Sequence, residues 1–242
     1  MKENNIEKIT VMKDLEILYE DNHIIAVNKQ ISDIVQEDPS GDTPLSEKVK
    51  AYIKEKYNKP GDVFLGIPHR VDRPVSGVVL FAKTSKALVR LNKMFQERDE
   101  EITKIYWAIV GNLPEEEEGT LVHYLVRDSE KNKSYAYNQP KKNAKKAVLK
   151  YKLLGCAQRY YLLEVTLCTG RHHQIRCQLA KIGCPIKGDL KYGFPRSNEG
   201  GGINLHARSI TFVHPVKQEK ITIMAPPPLN DSLWKFFYEN LK

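Results

Sequence analysis

No stretch of about 18 apolar residues occurs anywhere in this 242-residue chain, so no membrane-spanning helix is expected. The opening residues, Met1-Lys-Glu-Asn-Asn-Ile-Glu-Lys, lack the apolar run of a secretory signal. Cysteine is sparse, and Cys156, Cys168, Cys177 and Cys184 include no C-x-x-C pair, which argues against a zinc ribbon or a dithiol redox centre. These absences lead us to expect a cytoplasmic protein with reduced thiols. Internal repeats and a domain-separating linker are also missing. Acidic charge is in deficit, with 38 Lys and Arg against 30 Asp and Glu. The resulting net +8 favours a polyanionic partner through phosphate contacts, although composition alone gives only a lean toward nucleic acid.

Hydrophobic residues make up 41% of the chain, enough to bury a full core. A polar leader is expected over residues 1–14 and one catalytic-size domain over residues 15–242. Short strands are predicted at Ile17 to Tyr19 and Ile24 to Val27, then a helix from Leu45 to Tyr57. The apolar run Ser76 to Ala82 reads as a strand that feeds a helix with Leu88, Leu91, Met94 and Phe95 at helical spacing. A buried strand follows at Ile105 to Gly111, then a solvated acidic loop at Pro114 to Gly119. Lys146 to Leu167 reads as a hairpin. A helix starts near His173 and stops at Gly183, and two strands (Leu205 to Val213, Ile221 to Met224) precede a last helix over Asp231 to Leu241. Strands outnumber helices and several are hairpin-linked, which predicts an α+β fold on a mixed, mainly antiparallel sheet with flanking helices and a central cleft.

Four segments carry chemistry. In Pro68-His-Arg-Val-Asp-Arg-Pro-Val-Ser-Gly77, ionisable residues crowd Asp72 just before a buried strand, a pattern that also suits plain ion pairs or a turn. Thr169-Gly-Arg-His-His-Gln-Ile-Arg176 puts Arg171 and His172 at a helix start, where cations oppose the helix dipole unless an anion lies against them. Arg171 and Arg176 are therefore candidates for pairing with a carboxylate or phosphate. His172 and His173 suggest no metal site, because adjacent side chains on a helix diverge by ~100° and no third ligand is near. In Lys104 to Gly111, Tyr106 and small Ala108 share one strand face, leaving room beside the ring for a base-sized slot. Gly188-Asp-Leu-Lys-Tyr-Gly193 is turn-like and either supports a site or shapes a loop.

In this order, the segments resemble the RluA-type pseudouridine synthases. His69 to Gly77 is similar to that family's HRLDRxTSG, Lys104 to Gly111 to its tyrosine strand, and Thr169 to Arg176 to TGRxHQIR. Gly188 to Gly193 and Leu205-His-Ala207 match its later markers, and the likeness spans about residues 15 to 228. The resemblance implies isomerisation of uridine to pseudouridine in ribosomal or transfer RNA, with no cofactor and no metal. It implies Asp72 as the essential carboxylate, Arg176 as its ion-pair partner, and Tyr106 as the ring that stacks on uracil and helps remove the C5 proton. Arg70 would hold or replace the flipped nucleotide, and Arg73, Arg171, His173 and Gln174 are expected on the substrate side. The basic run Lys141, Lys142, Lys145 and Lys146 would meet RNA phosphates or form a solvated strip.

Two departures stand out. Val75 occupies the usual threonine position, and Asn28-Lys-Gln-Ile-Ser32 replaces an NKPxG segment. The residues before Leu15 are too few for the S4 domain common in the family, so target choice is expected to come from the catalytic domain or RNA shape. A monomer is expected. The rival reading is a non-catalytic RNA-binding protein on the same fold, able to dispense with Asp72, Tyr106 and Arg176. A glycoside hydrolase or metal nuclease would need a second acid or a ligand cluster.

Overall fold

The computed structural model describes residues 10–12, 15–97 and 102–241. In chain order the elements are β1 (Thr10–Met12), β2 (Leu15–Glu20), β3 (Ile24–Lys29), α1 (Leu45–Lys56), β4 (Ser76–Ala82), α2 (Ser85–Glu97) and β5 (Ile102–Val110). There follow β6 (Glu118–Asp128), β7 (Lys133–Tyr137), β8 (Lys145–Ala157), β9 (Tyr160–Leu167), α3 (Gln174–Lys181), β10 (Leu205–Val213), β11 (Lys220–Met224) and α4 (Ser232–Asn240). The fold is α+β on mostly antiparallel sheet, as the strand-rich pattern predicted. Most of the predicted elements appear within one to three residues of their expected ends. Most of the expected leader lies outside the described residues, but Thr10–Met12 forms a strand paired with Leu15 to Ile17. Strands β6 and β7 went unpredicted. Among the described residues no helix is long and apolar enough to cross a membrane.

The chain divides into two units, Met1–Ile102 with Ser209–Pro226, and Thr103–Arg208 with Pro227–Lys242. In the first, β2, β3 and β4 pair antiparallel, with Ile25 opposite Phe81 and Lys29 opposite Gly77. Both β3 and β4 are buried along their whole length, which is why their sequences run apolar without alternation. Ile24, Ala26, Val78 and Leu80 pack against Leu91 and Met94 of α2, and Phe212 and Ile223 of β10 and β11 close this core. Burying a large aliphatic or aromatic side chain contributes roughly 1.5–3 kcal/mol, so this cluster sets the position of everything attached to β4.

In the second unit β5, β9, β8, β6 and β7 lie side by side in that order. Alternation divides their side chains between two faces. One face, with Leu125 and Ala147, receives Cys177 of α3 and Tyr192. The register puts Tyr106 beside Val165 and Val165 beside Tyr151, on this same face. The other face carries Trp107, Ile109 and Leu162, covered by Trp234 and Phe237 of α4. That helix starts at Asp231, whose carboxylate accepts the backbone N–H groups of Leu233 at 2.8 Å and Trp234 at 3.1 Å.

Candidate active site

In the first unit, β4 is entered through a four-residue turn. The N–H of Val75 donates to the carbonyl of Asp72 at 3.0 Å, closing Asp72-Arg-Pro-Val75. Val71 and Val75 are buried on either side, so the half-buried Asp72 is anchored at both ends. His69 stacks on Phe95 of α2, with ring centroids 4.8 Å apart, and its Nε2 accepts the Leu80 N–H at 2.9 Å. Arg70 is exposed, and the exposed side chain of Arg73 pairs with Asp42.

The strongest constraint on this turn comes from Lys29, at the end of β3. Its side chain is fully buried, and its ammonium donates to the carbonyls of Val75 at 2.7 Å, Arg73 at 3.0 Å and Gln30 at 3.0 Å. Three N–H groups thus meet three carbonyls. Burial pulls the Lys29 pKa down to about 8, against the attraction of Asp33 and Asp72. Two family departures have a structural account here. Ser32, standing where the family has glycine, adopts the left-handed conformation that glycine supplies, with φ of 75°, and its N–H reaches the Arg73 carbonyl at 3.1 Å. Val75 lacks the family's hydroxyl, and the turn is held through its backbone instead.

In the second unit, Arg176 of α3 and Asp189 are both buried and form a bidentate pair: Nε to Oδ2 is 2.6 Å and Nη2 to Oδ1 is 2.8 Å. This geometry is the strong form of an arginine–carboxylate contact. The ring of Tyr192 lies 5.0 Å from the guanidinium carbon. The segment Gly188 to Gly193, read from sequence as turn-like, therefore delivers Asp189 and Tyr192 to Arg176.

The loop before α3 is braced throughout. Gln174 is buried; its Oε1 accepts from Thr169 Oγ1 at 2.7 Å and the Arg171 N–H at 2.9 Å, while its Nε2 donates to the Val148 carbonyl at 3.0 Å. Arg171 Nε donates to the Lys146 carbonyl at 3.0 Å. His173 caps the helix in a left-handed conformation, φ 52°, and lies just before it. For this reason the His172 and His173 rings do not diverge as neighbours on a helix would; they stack at 3.8 Å. His173 Nδ1 is 3.0 Å from the Tyr192 hydroxyl, which accepts the Ser134 N–H at 2.8 Å. Burial, reinforced by Arg176, pushes the His173 pKa down to about 2, so the ring is neutral at ordinary pH. Among the described residues no group of three His, Cys, Asp or Glu is placed to hold a metal ion.

Tyr106 is half-buried on the sheet face that α3 covers, next to fully buried Ala108, as its strand position predicted. Sequence reading passed over Lys29, Ser134, Asp189 and Tyr192 as separate site-builders. Lys29 gave one usable signal, a lone charge closing an otherwise buried strand.

The family model for RNA pseudouridylate synthase matches residues 23–181. The chain belongs to the RluA-type RNA pseudouridine synthases. It is 30% identical over 223 residues to the dual-specificity RNA pseudouridine synthase RluA of Pasteurella multocida, covering 88% of this chain and 93% of that one. It is likewise 30% identical to tRNA pseudouridine synthase C of Vibrio vulnificus, covering 94% and 96%. Against the Synechocystis RNA pseudouridine synthase slr1629 it is 33% identical, covering 88% of this chain and 66% of the relative. The solved structure of human RNA pseudouridylate synthase domain containing 4 shares the fold, with a TM-score of 0.75 at 22% identity over 92% of each chain.

Three expectations follow for the Lys29 turn of this synthase. Lys29→Met orphans three carbonyls and should destabilise the chain by about 3 kcal/mol in urea denaturation. Because the folded Lys29 pKa lies near 8, below its ordinary 10.5, the unfolded chain binds more protons between those values. Wild-type stability should therefore gain from this group as pH rises through that window, and the gain should vanish in Lys29→Met. Ser32→Gly relieves the left-handed strain and should raise stability by about 1 kcal/mol; a loss instead would show that the serine conformation carries no strain.

Proposed function

We propose that this synthase isomerises uridines of ribosomal or transfer RNA to pseudouridine, with Asp72 as the catalytic carboxylate. The observation that carries the reading is the buried Arg176–Asp189 pair on the sheet face shared with Tyr106. It holds the Arg176 guanidinium firmly on that face, which supports the reading. Asp189 engages Nε and Nη2 of the guanidinium, two of its five N–H groups. In this reading Arg176 is the ion-pair partner of Asp72, the carboxylate that acts as nucleophile or base. The N1–C1′ bond of uridine breaks, uracil turns within the pocket against Tyr106, and C5 joins C1′. The C5 hydrogen leaves as a proton and N1 gains one, so no redox partner enters the balance.

A stacked uridine cannot present C1′ to a side chain and must first be extruded, at a cost of a few kcal/mol that is lowest in loops. Arg70 and Arg73, both exposed beside Asp72, are assigned to the displaced strand. Arg171, His173 and Gln174 act on the substrate side by shaping the loop that carries Arg176. The relatives named for transfer RNA and for the ribosomal large subunit support both RNA classes as substrates. The same reading makes the chain a cytoplasmic monomer that needs neither cofactor nor metal.

Tritium release from RNA labelled at uridine C5 is the direct test. Wild type should release tritium from ribosomal or transfer RNA, and Asp72→Asn should release none above background. Arg176→Ala should lower turnover at least 100-fold while changing RNA affinity little. Tight RNA binding without release from any RNA would favour a non-catalytic RNA-binding protein on this fold.

A further inference from the structure

The second unit's sheet has a face that its helices leave largely open. Helix α4 covers the β5 and β9 end, where Trp107, Ile109 and Leu162 lie. Further along, the register carries this face through Tyr124, opposite both Tyr137 of β7 and Lys146 of β8, and through Val126, opposite Tyr135. These side chains point away from α3, since their neighbours Leu125, Ala136 and Ala147 pack on the α3 side. Tyr135 is 36% exposed and Val122, in line with Tyr124, is 45% exposed. Tyr124, Val126 and Tyr137 beside them are half-buried, so a contiguous row of aromatic and apolar groups partly meets water here, the kind of patch that marks an interaction surface.

The charge around them says which one. Lys141 holds its ammonium 3.9 Å from the Tyr137 ring centroid, and Lys133 lies 5.7 Å from that of Tyr135. Lys146 and Lys150, exposed on β8, share this face, and exposed Lys142 lies in the adjoining loop, while Lys145, opposite Leu125, is on the α3 side. The nearby acids are Asp128, opposite Lys133, and exposed Glu130; Glu118 and Glu164 lie at the far end, flanking Lys152. The balance at the tyrosines is strongly positive. Lysine is depleted in protein–protein interfaces, and lysines on an edge strand such as β7 oppose strand pairing. Tyrosine rings interleaved with lysines are instead the pattern of a stacking platform for single-stranded nucleic acid, bases on the rings and phosphates on the ammonium groups. Tyr135 and Tyr137, two residues apart, are about 7 Å apart along the strand, so an extended strand can lay successive bases on them.

We infer that the open face of β6, β7 and β8, centred on Tyr124, Tyr135 and Tyr137, binds a single-stranded stretch of the substrate RNA outside the uridine site. The inference rests on the RNA reading above and deepens it. The two places are linked around the β7 edge: Lys133 lies 5.2 Å from the Tyr192 ring, and Arg176 lies 5.0 Å from that same ring.

The test uses the full chain and a fluorescent 12-nucleotide oligocytidylate, which offers no uridine to the catalytic site. Tyr135→Ala/Tyr137→Ala should weaken binding at least about tenfold, roughly the worth of one stacked base. Tyr135→Phe/Tyr137→Phe should bind like wild type, because stacking needs the ring and not the hydroxyl. Lys141→Glu/Lys146→Glu should flatten the salt dependence of binding by about one unit of log–log slope per lost phosphate contact. In tritium release, the alanine pair should raise KM on long RNA and leave kcat unchanged. Unchanged oligonucleotide affinity in the alanine pair overturns the inference, as does equal loss in the phenylalanine pair. Concentration-dependent dimerisation of wild type, abolished by the alanine pair, would assign the face to a second copy and also overturn it. If no RNA yields tritium yet oligocytidylate binding depends on the tyrosines, the catalytic reading falls and this surface stands.

Discussion

A cation withdrawn from water must be answered inside the protein, as two buried ones among the described residues are. Arg176 meets Asp189 in a two-bond geometry, and Lys29 spends all three ammonium protons on carbonyls. Leaving either cation unmatched would cost several kcal/mol, a large share of what a domain has to spare. The neighbouring chain therefore has little freedom. The Asp72 turn must place two carbonyls at Lys29, and the Gly188 to Gly193 segment must deliver Asp189 to α3.

These matched charges also explain the precision of two otherwise irregular loops. A turn closed by one backbone bond is soft, but a buried ammonium bonded to two of its carbonyls makes it stiff. The loop before α3 has no regular structure. Gln174, Ser134 and the Tyr192 hydroxyl nonetheless satisfy its polar groups from three directions. Neutral His173 fits this arrangement, since a second positive charge beside Arg176 would weaken the hold of Asp189. Catalytic groups of an isomerase need this kind of support.

Strands β6 and β7 show why part of the fold was illegible. The sequence of β6, Glu118-Gly-Thr-Leu-Val-His-Tyr-Leu-Val-Arg-Asp128, places apolar residues on both faces, because one face packs on α3 and the other carries exposed Val122 and half-buried Tyr124. The polar–apolar alternation that marks an ordinary surface strand is absent. The feature that hid the strands from pattern reading is thus the one that gives the open face its proposed use. The expected divergence of His172 and His173 failed for a related reason: it assumed helical geometry, and His173 lies in a left-handed cap.

Much of this protein was determined by local sequence. Buried strands such as Ile24 to Val27 and Ser76 to Ala82 and the helix after His173 follow from periodicity and residue type, and the ordered motifs around Asp72, Tyr106 and Arg176 were legible through their resemblance to a family. Tertiary structure alone decided which groups answer one another. Lys29 is 44 residues from Arg73 and Asp189 is 13 from Arg176. No spacing rule connects such pairs; burial selects them, because each charge had to find a partner where the folded chain had already excluded water.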